Sequence, residues 1–304
     1  MKRILLTGAS GFIGYHCIAP LRKRGYEVHA ASRSVPKDGS SGAIWHEADL
    51  LDTPARASLL EAVQPSHLLH LAWFVVPGQL ITSPENFAWV TASLDLVQRF
   101  AALGGKRAVV CGSGYEYDWN YGYCSEAHTP TVPNTVYGAC KHALDVMLRA
   151  LAPEQKLSLA WGRVFFLYGP REHPKRLVSS VILSLLRGEP AKCSHGRQVR
   201  DYMHVQDVAD GMSALLDSDL EGPVNVSSGQ ATTIRDIVLT TGRLLGKPEL
   251  IQLGALPARA NDTPLVVGDN TRITTTLGWQ PRYDLESGLE QTAAWWRDHM
   301  PAPA

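Results

Sequence analysis

Tyr137 and Lys141 stand four residues apart in Tyr137-Gly138-Ala139-Cys140-Lys141, so on a helix they share one face. A phenol alone titrates near pH ~10 and exchanges protons poorly at neutrality. An ammonium beside it favours the phenolate and lowers that value, and Lys141 is spaced to supply this field. Ser113 closes the apolar run Val109-Val110-Cys111-Gly112-Ser113-Gly114. Its hydroxyl can hold a substrate oxygen while a phenol passes that oxygen a proton, or it can be a plain turn residue.

A second constellation binds phosphate. Gly8-Ala9-Ser10-Gly11-Phe12-Ile13-Gly14 follows the run Ile4-Leu5-Leu6-Thr7 and opens a helical pattern. A tight turn needs glycine backbone freedom, and the helix start offers unpaired N–H groups and a positive dipole end to a pyrophosphate. Gly14 allows close packing of helix on sheet. The second strand ends Ala30-Ala31-Ser32-Arg33-Ser34, without the carboxylate that an NAD ribose usually meets. Ser32 and Arg33 suit a 2′-phosphate, which favours NADP(H) with NAD(H) as the alternative; Arg33 can also be a solvated loop cation.

The elements that must hold these groups alternate. Strands are expected at Ile4–Thr7, Tyr26–Ala31, Leu68–Ala72, Ala108–Cys111 and Leu157–Val164, with helices at Phe12–Arg24, Asn86–Leu103 and Thr135–Leu151 between them. Such alternation predicts an α/β, Rossmann-type, doubly wound parallel sheet, with ligands at the carboxyl ends of its strands. Beyond about Tyr168 the loops gain Gly, Pro and basic residues. Helices are expected at Leu177–Arg187, Val205–Leu216 and Leu285–His299, and Pro223–Val226 reads as a strand returning to the main sheet. The expected organisation is a nucleotide-binding domain over 1–168, with 205–235 partly returning to it. A smaller interleaved α/β substrate-binding domain would span 169–304.

Composition narrows the partners. Lys+Arg and Asp+Glu balance at 29 each, so no basic field is available for nucleic acid or an anionic membrane. Phosphate must be met by a few local groups. No apolar run reaches bilayer-spanning length, and the start lacks a secretion signal. The five scattered cysteines form no CxxC pair, which argues against a structural metal and fits reduced thiols in a cytoplasmic enzyme.

Together these motifs resemble the extended short-chain dehydrogenase/reductase family, specifically its nucleotide-sugar branch, over nearly the whole chain. The resemblance implies a glycine turn at Gly8, Gly11 and Gly14, with Ser10, Phe12 and Ile13 also against the cofactor. It adds Asp49-Leu50 at the adenine and Leu71-Ala72, after His70, lining the cofactor site. It implies Ser113, Tyr137 and Lys141 as the catalytic set, with Tyr137 and Lys141 also touching the cofactor. Leu167-Tyr168-Gly169-Pro170-Arg171 resembles the segment lining the nicotinamide and sugar pockets. Arg200, in Arg200-Asp201-Tyr202-Met203-His204-Val205, and Arg259 would meet a substrate diphosphate, with Tyr115 and His173 near the sugar. Leu277-Gly278-Trp279-Gln280-Pro281 matches a C-terminal marker.

The departures are informative. Related 4,6-dehydratases carry Asp-Glu directly after the catalytic hydroxyl residue, where this chain has Gly114 and Tyr115, which argues against dehydration. The GDP-fucose synthase type has a Cys at the position of Tyr115, which argues against C3/C5 epimerisation although His173 is present. An Asn common in the helix after the fourth strand is Trp89 here. What remains resembles 4-keto-6-deoxyhexose reductases. The implied reaction is NADPH-dependent reduction of a nucleotide-linked 4-keto-6-deoxysugar. The alternatives are a C4 epimerase that retains its cofactor and a catalytically silent dinucleotide sensor. A homodimer through the two helices 86–103 and 135–151 is expected.

Overall fold

The computed structural model describes residues 2–36, 42–258 and 262–300. The chain runs β1 (Lys2–Thr7), α1 (Phe12–Lys23), β2 (Tyr26–Ser32), β3 (Ile44–Glu47), α2 (Thr53–Val63), β4 (His67–His70), α3 (Glu85–Ala102), β5 (Arg107–Ser113), β6 (Tyr123–Cys124), α4 (Val136–Glu154), β7 (Ser158–Val164) and β8 (Phe166–Tyr168). It continues through α5 (Leu177–Arg187), β9 (Ala191–Lys192), β10 (Val199–Arg200), β11 (Tyr202–His204), α6 (Val205–Leu216), β12 (Gly222–Val226), β13 (Thr232–Thr233), α7 (Ile234–Leu244), β14 (Ile251–Gln252), β15 (Leu265–Gly268), α8 (Thr271–Leu277) and α9 (Leu285–Asp298).

Among the described residues seven strands form one parallel sheet in the order β12-β7-β5-β4-β1-β2-β3. Its strands are apolar because both faces are covered, as a parallel sheet requires. Leu5, Leu68, Ala108, Val110 and Trp161 face α2, α3 and α4. Ile4, Leu6, Val109 and Ala160 face α1 and α6. This is the doubly wound α/β fold. The strand order reverses between β1 and β4, the place where a doubly wound sheet leaves a crevice at its strand ends.

The remaining strands are short. β13, β10, β15 and β6 make a four-stranded sheet, while β8 pairs with β11 and β9 with β14. Around them α5, α7 and α9 bury Val178, Ile182, Ile237, Leu289 and Trp296. Trp279 of the C-terminal marker packs on α6 at Gly211, where a side chain would crowd its ring.

The expected strand 68–72 stops at His70, because the Leu71 and Ala72 N–H groups turn to the Thr7 hydroxyl at 3.2 and 3.4 Å. Helix α4 starts after Thr135, whose hydroxyl accepts from the Gly138 N–H at 3.0 Å, and it runs on to Glu154. All five cysteines are free. No helix of the described residues is long and apolar enough to cross a membrane.

Candidate active site

Strand β5 delivers Ser113 to the crevice edge, where the residue caps the short 3₁₀ turn Gly114–Glu116. The Ser113 hydroxyl accepts from the Tyr115 N–H at 3.3 Å, and the Glu116 carboxylate accepts from the Ser113 N–H at 2.6 Å. This reciprocal cap fixes the hydroxyl while leaving its own hydrogen to donate. The hydroxyl meets the Tyr137 phenol. Gly138 makes that meeting possible: a Cβ there would collide with the Tyr115 carbonyl oxygen. The first turn of α4 therefore lies directly against the turn that Ser113 caps. The Tyr137 ring sits edge-on to Tyr115 at 5.7 Å and to Trp73 at 6.5 Å.

One helical turn on, Lys141 is 3% exposed. Its ammonium donates to the Cys111 carbonyl at 2.7 Å and lies 3.7 Å from the Trp73 ring centre. Burial pulls its pKa down to about 8, opposed by the Cys111 thiol and the Glu116 carboxylate. The expectation that Lys141 would depress the Tyr137 pKa needs correction. Burial dominates and raises the Tyr137 pKa above its ordinary value, and the Ser113 hydrogen bond offsets only part of the rise. The ammonium is engaged by Cys111 and Trp73, and the phenol keeps its proton through neutral pH.

A buried charge cluster below this corner was not anticipated from sequence. Arg163 of β7 donates to Glu116 at 2.7 Å, to the Tyr117 hydroxyl at 3.0 Å and to Asp145 of α4 at 3.1 Å. Glu116 also accepts from the Trp161 indole at 2.9 Å. Glu116, His142 and Asp145 bring ligand-type atoms within 4.8 Å of one another. The Arg163 guanidinium already bonds both carboxylates, a cation standing where a metal would. Spacing held the missed signal: Asp145 continues the Tyr137, Lys141 stripe by another four residues.

The glycine turn expected at the cofactor lies where β1 meets β4. Gly8 has φ +66°, and a Cβ on it would lie 2.8 Å from the Ala72 nitrogen. A Cβ on Gly14 would collide with the Gly8 carbonyl. Gly11 caps α1 without a side-chain hydrogen bond, and no acidic residue follows in the first turn. With Ser10, Phe12 and Ile13 around it, this helix end keeps N–H groups and a positive dipole for a pyrophosphate, so the turn fits a dinucleotide. The Ser10 and Ser32 hydroxyls bond at 2.6 Å, and Arg33 beyond them is exposed. Asp49 is exposed, with its carboxylate accepting from the Leu51 N–H at 3.0 Å. Leu50 is buried, and Arg56 donates to its carbonyl. Leu71 and Ala72 pack at Gly8. Below them His70 bridges the Thr7 and Ser93 hydroxyls at 2.7 and 2.8 Å. Burial and the Lys141 charge hold its pKa at about 3, so the ring is neutral. Trp89 tilts over Trp73 at 6.3 Å.

The substrate-side residues divide. Tyr115 lies in the corner, and with Trp119, Phe165 and Phe166 it lines a small cavity beside Gly114. Arg200, expected to meet a substrate diphosphate, is held by protein groups here. It is 5% exposed, donates to Asp262 at 2.6 Å and to its neighbour's carbonyl at 2.8 Å, and stacks over Phe166 at 5.5 Å. His173 is exposed and makes no hydrogen bond to Ser113, Tyr137 or Lys141; its ring accepts from the Lys175 N–H at 3.2 Å. Arg259 lies outside the described residues. Asn86, which sequence reasoning passed over, is fully buried. It accepts from the Trp73 indole at 2.8 Å and donates to the Leu80 and Ser83 carbonyls, pinning the loop that carries Trp73.

Known proteins share this arrangement of elements. UDP-glucuronic acid decarboxylase 1 of Xenopus tropicalis is 26% identical over 312 residues, covering 98% of this chain and 73% of that protein. The crystal structure of UDP-glucose 4-epimerase from Thermotoga maritima, solved with UDP-glucose, has a TM-score of 0.88 at 25% identity, covering 98% of this chain and 100% of that one. UDP-glucose 4-epimerase of Thermus thermophilus in complex with NAD has a TM-score of 0.86 at 26% identity, with 97% and 99% coverage. Residues 4–227 match the NAD dependent epimerase/dehydratase family. A glycine turn at a parallel-sheet crevice, with a buried serine, tyrosine and lysine beside it, is thus explained by descent: the chain belongs to the NAD dependent epimerase/dehydratase family and is an enzyme with oxidoreductase-type chemistry.

Proposed function

We propose that this enzyme reduces the C4 carbonyl of a nucleotide-linked 4-keto-6-deoxysugar, with NADPH preferred over NADH. The observation that carries the reading is Tyr137, buried, protonated at neutral pH and in contact with Ser113. A reductase needs a proton donor at this position, and burial keeps the phenol loaded. The bound nicotinamide supplies the hydride. Ser113 would turn its hydroxyl hydrogen from the phenol to the carbonyl oxygen and orient it. Tyr137 gives that oxygen its proton as negative charge develops. Lys141 would stabilise the phenolate left behind and would be the residue to hold the nicotinamide ribose. The Tyr115, Trp119 and Phe166 rings exclude water and offer an apolar wall to a deoxygenated C6.

Gly8, Gly11 and Gly14 would cradle the pyrophosphate, with Ser10, Phe12 and Ile13 at the same turn. Asp49 and Leu50 would border the adenine, and Leu71 and Ala72 the ribose. The Ser10–Ser32 hydroxyl pair and exposed Arg33, with no carboxylate at the end of β2, favour a 2′-phosphate. Arg200 and Arg259 would face the substrate diphosphate, and His173 the sugar side. Dehydration is disfavoured because Gly114 and Tyr115 follow Ser113, and the carboxylate of the next residue, Glu116, is taken up by Arg163 and Trp161.

The test is NADPH consumption, read at the nicotinamide absorbance band, with 4-keto-6-deoxysugars linked to dTDP, CDP, GDP and UDP. A fall in absorbance with one of them supports the reading; no consumption with any rejects it. A C4 epimerase is the second reading, supported by the two solved epimerases of the same fold. It would retain its cofactor through purification and show no net consumption. A silent sensor would have no use for the buried Ser113, Tyr137 and Lys141. We also propose a homodimer through α3 and α4, which expose Phe87 and Val146. Light scattering at micromolar concentration showing only monomer would contradict it.

A further inference from the structure

Glu116, Arg163 and Asp145 have no part in the proton transfer described above, yet they form the most deeply buried ionic cluster beside it. The Glu116 and Asp145 side chains are 0% exposed and Arg163 is 3% exposed. We propose that these three residues are a positioning clamp that sets the Ser113–Tyr137 contact and places one carboxylate, Glu116, on the Lys141 side of the Trp161 ring. The proposal rests on Ser113, Tyr137 and Lys141 being the reacting groups.

Geometry carries it. In the sheet, Gly112 lies opposite Arg163. A Cβ on Gly112 would collide with the Trp161 indole and crowd Glu116, so glycine leaves the space the carboxylate fills. Glu116 accepts from the Ser113 N–H, the Trp161 indole and the Arg163 Nε at once. Arg163 is fixed on every side, since the Tyr117 hydroxyl it touches donates in turn to Asn225 of β12 at 2.8 Å. Its third nitrogen, Nη2, holds Asp145, which also accepts from Arg149 at 2.8 Å. Tyr137, Lys141 and Asp145 recur every four residues on one stripe of α4. Gripping Asp145 therefore fixes the rotation of the helix that presents the phenol and the ammonium. Gripping Glu116 fixes the turn that Ser113 caps. A charge buried this deeply is strongly held to its partners, because separating them leaves an uncompensated ion.

Electrostatics adds a second signature. The titratable groups that act on Lys141 are the Cys111 thiol from β5 and Glu116 from the following turn, while His70 from β4, under the Lys141 charge, is neutral. Glu116 is the anionic carboxylate among them. The Trp73 and Trp161 rings lie within 3.7 and 6.0 Å of the ammonium.

The experiment follows Lys141 by NMR of ¹³Cε-lysine-labelled full-length protein, its resonance assigned with Lys141→Met, in wild type, Glu116→Gln and Glu116→Asp. Steady-state kinetics with NADPH and a nucleotide-linked 4-keto-6-deoxysugar run alongside. In Glu116→Gln the Lys141 midpoint should fall by about half a pH unit or more, because a favourable charge is lost. kcat should fall about tenfold or more with KM little changed, because the hydroxyl and phenol lose register. Glu116→Asp should restore the midpoint and part of kcat. Mere structural loosening would hydrate Lys141 and move its midpoint up instead. A folded Glu116→Gln protein with an unmoved or raised midpoint overturns the proposal. So does unchanged kcat in Glu116→Gln where the keto-sugar is turned over. Should Glu116→Gln not fold, Asp145→Asn decides: it keeps the Glu116–Arg163 pair, and kcat within about twofold of wild type overturns the clamp. Where no keto-sugar is turned over, the functional reading fails, and the Lys141 midpoint still decides for or against the clamp.

Discussion

The corner around Ser113 and the lobe built from α5, α7 and α9 are held together by different means. In the corner, long parallel strands end on residues tied by ionic and reciprocal hydrogen bonds, with Tyr137, Lys141, Glu116, Asp145 and Arg163 all buried. In the lobe, strands of two residues such as β9 and β14 join helices that meet through small apolar clusters. His173 at its margin is exposed. On the function proposed above, the contrast would divide the work: the sheet would fix the reacting atoms and the lobe would specify what they act upon.

The largest effect should come from breaking the corner. Tyr137→Phe removes the proposed proton donor and should cut kcat roughly a thousandfold while the cofactor Kd changes little, as general acid catalysis is worth ~10²–10⁴. Steady-state rates and fluorescence titration check this. Arg200→Ala tests the lobe. Loss of a charge-assisted contact to diphosphate should raise KM about 10–100-fold with kcat nearly constant. A fall in Tm with unchanged KM would instead make Arg200 a purely structural partner of Asp262. Gly138→Ala forces α4 away from the Tyr115 carbonyl and should cost roughly 1–3 kcal/mol of stability, read by denaturant unfolding, together with a lower kcat. Arg33→Ala should reduce the preference for NADPH over NADH about tenfold, read as the ratio of kcat/KM values.

The pH response sharpens the same contrast. The Lys141 ammonium is lost as pH rises through about 8. kcat/KM should therefore fall above that value, about tenfold per unit, and Lys141→Arg should move the fall upward. The folded pKa lies below the ordinary 10.5, so between these values the unfolded chain binds a proton the fold has released. Through this group, stability rises with pH across that window.

The glycine turn and the Tyr137–Lys141 pair were legible because their geometry is local: a turn or one helical step converts spacing directly into position. Glu116, Arg163 and Asp145 were not, since they come from three segments that meet only when β5 and β7 pair in register. The Arg200–Asp262 pair was not legible because Asp262 stands 62 residues further along the chain. The Tyr137 pKa was misjudged for a related reason. Spacing shows a neighbouring ammonium but not the depth of burial, and burial wins. Helix α7 went unseen because its β-branched and threonine-rich stretch lacks helix propensity, while tertiary packing of Ile237 and Val238 sustains it.

The absent side chain at Gly138 also bears on redesign. A library that varies residues 112, 114 and 138 would produce mostly inactive proteins, because each of these glycines accommodates a neighbour already in contact. Diversity is better placed at Trp119 and Phe166, whose rings border the cavity and pack on Tyr117, Cys124 and Val266. New sugar preferences should therefore evolve along the wall of the pocket while its hinge of bare backbone stays unchanged.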